Sequence, residues 1–187
     1  MDMLKQLRRT AIFKVGCVLL VVALMQGTAA ASPFGQGVFG ADVPFGSDTS
    51  LSINLGSNVS LSLTPSGGFY TGSGSHTVTV TSTDVVGYVL YVHALGSTDM
   101  TGASTTIPVS GNTTDAALST NTWGYNTTGS TTNFTGMTTY STAIKTATGP
   151  YKSGDPTTVT YGAKTSVTQA AGAYQISVVY TAVASNP

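Results

Sequence analysis

Residues Ala173 to Ala184 read AYQISVVYTAVA. Tyr174, Ile176, Val178, Tyr180 and Ala182 fall on one parity, and Ser177, Val179, Thr181 and Val183 on the other. A period of two, β-branched and aromatic residues and no charge make this a strand, with one face apolar and the other half-buried. A strand this apolar is expected to pair inside a larger sheet, because a free edge of such composition invites aggregation. It predicts an all-β domain closed by its own C-terminal strand.

Upstream, the same alternation recurs. Val85 to Leu95 (VVGYVLYVHAL) is apolar on both parities, which suits a central strand, and Gly87 with the β-branched content argues against a helix. Thr157 to Ala163 forms a strand through Val159 and Tyr161, and Gly172 turns the chain into the closing strand. Thr122-Trp123-Gly124-Tyr125 is a compact aromatic strand. Leu51, Ile53 and Leu55, then Val59, Leu61 and Leu63, make either a hairpin or one long strand with a bulge. His76 to Thr83 alternates through Val78 and Val80. Pro65–Ser75 and Lys145–Pro156 read as turn-rich connections. Gly96–Asn121 reads as loops and edge elements, with Pro108 unable to serve a central ladder, and Asn126–Thr142 as loop anchored by Phe134, Met137 and Tyr140. About seven to nine short strands and no helix after the first 31 residues predict an antiparallel two-sheet sandwich, immunoglobulin-like in general architecture. A small barrel is the alternative, since periodicity identifies faces and not strand order.

Charge is sparse, with seven Lys+Arg, seven Asp+Glu and no Glu. Lys5, Arg8, Arg9 and Lys14 precede the domain, so residues after Ala31 carry three positives against six Asp, a net of about −3. Such a surface lacks the clustered Lys and Arg that nucleic acid or an anionic membrane requires. The only cysteine, Cys17, lies in the N-terminal apolar run, so no disulfide is expected in the domain.

Basic Met1–Lys14, the apolar run Val15–Met25 and the small residues Thr28–Ala31 form a signal peptide pattern with cleavage after Ala31. A retained N-terminal anchor is the alternative; the run of eleven residues is short against the roughly 20 that span a bilayer. Cys17 opens this run rather than closing it, which argues against a lipid anchor. Residues 32–48 repeat Phe-Gly at 34–35, 39–40 and 45–46. They read as a spacer, or as a docking arm carrying Phe34, Phe39 and Phe45. The β domain is expected over 49–187.

Four motifs stand in order: Gly87-Tyr88-Val89-Leu90, Thr122-Trp123-Gly124-Tyr125, Tyr161-Gly162-Ala163-Lys164, and Ala171-Gly172-Ala173-Tyr174 followed by Val178-Val179-Tyr180-Thr181-Ala182. This set resembles exported surface β-sandwich proteins of candidate-phylum, Saccharibacteria-like bacteria, with their GYTL-like, TWGY-like, YGxK-like and AGTY…VVYTA-like motifs. Ala173 and Gln175-Ile176-Ser177 depart from that pattern. The resemblance implies a secreted or cell-surface sandwich and supplies no catalytic residues. No LPxTG-like motif follows Ala184, so surface retention is expected through the N-terminus or through partners.

The candidate chemistry is thin. His76 and His93 are the only histidines, too few for a zinc site of three or four ligands. No nucleophile elbow, phosphate loop or HExxH occurs, and the six Asp of the domain are scattered, so no enzyme and no cofactor is expected. Asp99, Asp115 and Asp155 lie in polar loops with oxygen ligands for calcium, but no spaced Asp-x-Asp pattern accompanies them. Trp123 and Tyr125 read as core aromatics or as a stacking platform for sugars. Tyr70, Tyr140 and Tyr151, in loops, are candidates for exposed contacts. The expected function is noncatalytic, structural or adhesive, with self-association or envelope proteins as partners. A carbohydrate-binding module, with glycans as partners, is the alternative. An assembly role predicts an unsatisfied sheet edge or a docking arm; a binding module predicts an aromatic groove.

Overall fold

Residues 50–185 are described by the computed structural model, and they hold twelve strands. These are β1 (Ser50–Leu55), β2 (Thr64–Ser66), β3 (Phe69–Thr83), β4 (Gly87–Ala94), β5 (Met100–Thr101) and β6 (Thr106–Ile107). They continue with β7 (Ala116–Ala117), β8 (Thr122–Asn126), β9 (Asn133–Phe134), β10 (Thr142–Thr148), β11 (Asp155–Ser166) and β12 (Val178–Ser185). The segment expected as signal peptide or anchor, and the arm with Phe34, Phe39 and Phe45, lie outside the described residues.

The larger sheet runs β1-β3-β11-β8 with β2 on the start of β3, and the smaller runs β10-β4-β12. All of their ladders are antiparallel. The inward parity of each strand meets the other sheet: Val78 and Val80 of β3, Val159 of β11 and Trp123 of β8 pack in one core with Leu90 and Val92 of β4. The protein is thus an all-β, antiparallel two-sheet sandwich, as the alternation predicts, and of immunoglobulin-like general architecture. Burial of these side chains, each stabilising by about 1.5–3 kcal/mol, holds the sheets together without a disulfide.

Three segments differ from the sequence reading. Pro65–Ser75 turns only at its start, where Gly67 and Gly68 adopt φ of 58° and 85°; from Phe69 the chain is already β3. Gly72 and Gly74 are there for close approach and not for turning. A Cβ on Gly72 would collide with the Ser62 carbonyl oxygen, and one on Gly74 would sit 3.0 Å from Val59. The segment after β1 therefore crosses β3 closely, and half-buries Val59, Leu61 and Leu63 against the core.

Lys145–Pro156 is likewise less loop than expected, because β10 runs to Thr148 and β11 starts at Asp155. The β10 ladder to β4 shifts register between Ala143 and Lys145. A bulge inserts one residue and spoils the period of two, which hides the strand from a pattern search.

The third difference bears on function. The closing strand is shorter than read, Val178–Ser185, because Gln175 leaves to bridge Thr101 in both directions at 2.9 and 3.0 Å. It is also not interior: among the described residues β12 pairs with β4 alone and forms the edge of its sheet. Period and apolarity report that a face is buried; they do not report how many neighbours a strand has.

Candidate functional site: the open edge of β12

Among the described residues no strand pairs with the second side of β12, and the groups on that side can be assigned. Leu95 N–H donates to the Ser177 carbonyl at 2.9 Å, and Val86 N–H to the Ser185 carbonyl at 3.1 Å, so the odd-numbered residues direct their polar groups toward β4. In an antiparallel strand the direction alternates residue by residue. The N–H and C=O groups of Val178, Tyr180, Ala182 and Ala184 therefore point away from β4, in the plane of the sheet, along the open edge. β1 comes within 8 Å of β12 but belongs to the other sheet.

Natural edges are commonly blunted by Lys, Pro or a bulge. β12 has none of these: VVYTAVAS carries no charge and no Pro, and its eight residues keep one unbroken register with β4. Its outer face is also apolar for a solvent face. Val183 stands opposite Val89, Thr181 opposite Tyr91 and Val179 opposite His93, and Val183 is 50% exposed.

Beneath this edge a polar chain ties β12 to the larger sheet. Tyr180 Oη lies 2.8 Å from His76 Nε2 on β3 and 2.5 Å from Tyr161 Oη on β11. The His76 ring packs at a tilt on both tyrosines, with centroids 5.9 Å and 5.5 Å away. Burial pushes the Tyr161 phenol up to about 12, offset in part by the Tyr180 hydrogen bond. Burial also drives Tyr180 upward, with Tyr161 adding to it, so both stay neutral hydrogen-bonding groups. Burial lowers His76, and the Ser57 backbone offsets part of that. A neutral His76 with a buried Nδ1 results.

A second tie spans the sheets on the other side. Asp155, at the start of β11, accepts from Lys145 Nζ on β10 at 2.6 Å and from Tyr88 Oη on β4 at 2.7 Å. Burial alone would raise the Asp155 carboxyl; the Lys145 and Tyr88 hydrogen bonds and the Lys145 charge outweigh it and hold it below the ordinary range.

The residues expected to bind ligand do not converge. Trp123 is fully buried, with Nε1–H donating to the Thr98 carbonyl at 2.9 Å, and Tyr125 is 6% exposed. Neither offers a free ring face for stacking; both pack as core aromatics, one of the two readings of this pair. Their burial follows from inward parity on β8, an element paired to β11 and flanked by Val109 and Thr135. Tyr70 lies on β3 and not in a loop, Tyr140 is 70% exposed before β10, and Tyr151 is half-buried with its ring edge-on to Tyr88 at 5.9 Å. These three stand on separate elements, with no ring contact among them in the described residues.

Asp115, Tyr125, Asn126, Thr135 and Ile144 line a cleft of about 180 Å³ on the β8 side. Asp115 there accepts from the Thr128 and Thr135 hydroxyls at 3.0 and 2.7 Å. Asp99, Asp115 and Asp155 are not brought together, and among the described residues no cluster of three or more His, Cys, Asp or Glu forms. Among the same residues no helix is long and apolar enough to cross a membrane.

Sequence reasoning placed Val178–Ala184 inside the sheet rather than at its edge, and did not single out the His76–Tyr161–Tyr180 chain. His76 and Tyr180 are 104 residues apart, and no local pattern joins them.

No protein-family model and no curated protein matches the chain. A solved structure described as "Chaperone-tip adhesin complex is vital for synergistic activation of CFA/I fimbriae biogenesis" is similar to it, with a TM-score of 0.46 and 18% identity over 73% of this chain. The match spans 42% of that structure's chain.

Proposed function

We propose that this is a noncatalytic, secreted or cell-surface structural or adhesive protein that engages envelope partners by adding a strand to the open edge of β12. One observation carries the reading: an eight-residue apolar edge strand, uncharged and unbulged, with the backbone groups of four residues directed outward. Strand addition takes its affinity from main-chain bonds and its selectivity from alternate side chains, which suits an edge of this kind. The signal pattern at Met1–Ala31 and the resemblance to exported surface sandwiches of candidate-phylum bacteria support export and a surface location.

The test is envelope fractionation of cells producing wild type, Ala182→Pro or Thr181→Lys. Ala182 N–H faces the open side, so proline there removes an outward donor and spares the ladder to β4. Retention of both variants at the wild-type level, with their thermal unfolding intact, would rule the edge out as the attachment surface. Several-fold loss of retention is expected.

The carbohydrate-binding reading keeps a single observation, the Asp115–Tyr125 cleft. At about 180 Å³ it falls below the roughly 300 Å³ of ordinary ligand pockets, so it ranks second. A shift of the backbone amide signals of Asp115, Tyr125 and Asn126 on glycan titration would revive it.

A further inference from the structure

Resting on the reading of β12 as an attachment edge, we infer that its partner is the β12 strand of a second copy of this chain. The two would pair antiparallel about a twofold axis at Thr181, joining two three-stranded sheets into one of six.

The register follows from which backbone groups are free. Only Val178, Tyr180, Ala182 and Ala184 direct N–H and C=O outward, so hydrogen-bonded pairs must join even-numbered residues. The symmetric register that uses all four sets Val178 opposite Ala184 of the second copy and Tyr180 opposite its Ala182. Thr181 then faces Thr181, and Val179 faces Val183.

Each of these pairings is sterically and electrostatically favourable. On the inner face, a large side chain always meets an alanine. On the outer face, β-branched residues meet each other, and such cross-strand pairs stabilise sheets. A twofold pairing brings every charge against its own kind, which is destabilising for most strands. No charged residue follows Lys164 in the sequence, so this strand escapes that penalty. Isologous contacts of this type are the commonest way for soluble chains to associate. The paired strands span about 27 Å. Val183, half exposed in the single copy, would be covered across the axis by Val179 of the partner.

The experiment is disulfide trapping in the full chain with Cys17→Ser, which leaves no native thiol. Thr181 would occupy a non-hydrogen-bonded pair, where Cα atoms stand about 4.5 Å apart and a disulfide can close. Under mild oxidation Thr181→Cys is expected to become a covalent dimer of doubled mass. Val183→Cys alone should stay mostly monomeric, while Val179→Cys mixed with Val183→Cys should give the mixed dimer. Adding Ala182→Pro to Thr181→Cys should lower the dimer yield several-fold.

Equal self-crosslinking of Thr181→Cys and Val183→Cys, or yield insensitive to Ala182→Pro, would mean random collision and overturn the inference. A Thr181→Cys chain that stays monomeric, with wild type also monomeric by size exclusion at tens of micromolar, would overturn it too. If envelope retention still depended on the edge in that case, the attachment reading would survive with a different protein as occupant. If retention were also insensitive, both would fall.

Discussion

Tyr180 Oη on the open edge strand lies 2.8 Å from His76 Nε2 on β3 of the opposite sheet, and 2.5 Å from Tyr161 Oη. This edge strand is therefore anchored from below by a side-chain chain as well as laterally by β4. Anchoring matters for an edge that receives another strand, since a frayed β12 would present no fixed row of donors and acceptors. Tyr180 Oη is the shared partner of His76 Nε2 and Tyr161 Oη, so removing it takes that hydrogen bond from both.

Tyr180→Phe keeps the ring packing and deletes both hydrogen bonds. Depriving a half-buried His76 and a buried Tyr161 of this partner costs about 1–3 kcal/mol. For a domain of this size that lowers Tm by roughly 3–8 °C, read by circular dichroism melting. An unchanged Tm would show that the chain of hydroxyls contributes no net stability.

Acid should weaken the fold, and the sign can be worked out. His76 binds a proton less readily folded than at its ordinary value of 6.5. As pH falls below 6.5 the unfolded chain takes up that proton first, and stability declines until the folded value is passed. Asp155 is held below its ordinary range, chiefly because Lys145 and Tyr88 outweigh its burial, so its contribution is lost at lower pH still. Urea midpoints measured from pH 7.5 to 2.5 should fall in two stages, and His76→Gln should flatten only the first.

Lys145 and Asp155 are 27% and 14% exposed, between the weak surface pair and the costly buried one. Lys145→Met should cost about 1–2 kcal/mol, because Asp155 keeps only the Tyr88 hydroxyl. The double variant with Asp155→Asn should cost less than the sum of the singles, a coupling that a double-mutant cycle in urea measures directly.

Gly162 lies in β11 against Phe134, whose ring is 3% exposed, and a Cβ there would overlap that ring. Gly162→Ala should destabilise by about 1–3 kcal/mol through overpacking. Gly111→Ala meets nothing within 4 Å at a φ that L residues adopt, and should change stability little. Chemical unfolding of the two variants side by side checks the contrast.

Most of the architecture was legible in the residues. The alternation at Val85–Leu95, Thr157–Ala163 and Val178–Val183 marked strands and their buried faces, and inward parity already favoured Trp123 as core. β10 escaped notice because its bulge at Ile144 breaks the period. The start of β3 escaped because Gly72 and Gly74 look like turn residues until Ser62 and Val59 are seen passing over them. The scattered positions of Tyr70, Tyr140 and Tyr151 were equally invisible, since convergence is a property of the folded chain.

Local sequence by itself determined that the closing segment is an uncharged, apolar strand, because side-chain period and branching act over neighbours along the chain. Only the tertiary structure decided that this strand sits at an edge, with Tyr180 tied to His76 and the backbone of Val178, Tyr180, Ala182 and Ala184 turned outward. The number of neighbours a strand acquires depends on which distant segments fill the adjacent places. β4 pairs with β10 and β12, and among the described residues no strand is hydrogen-bonded to β12 on its other side.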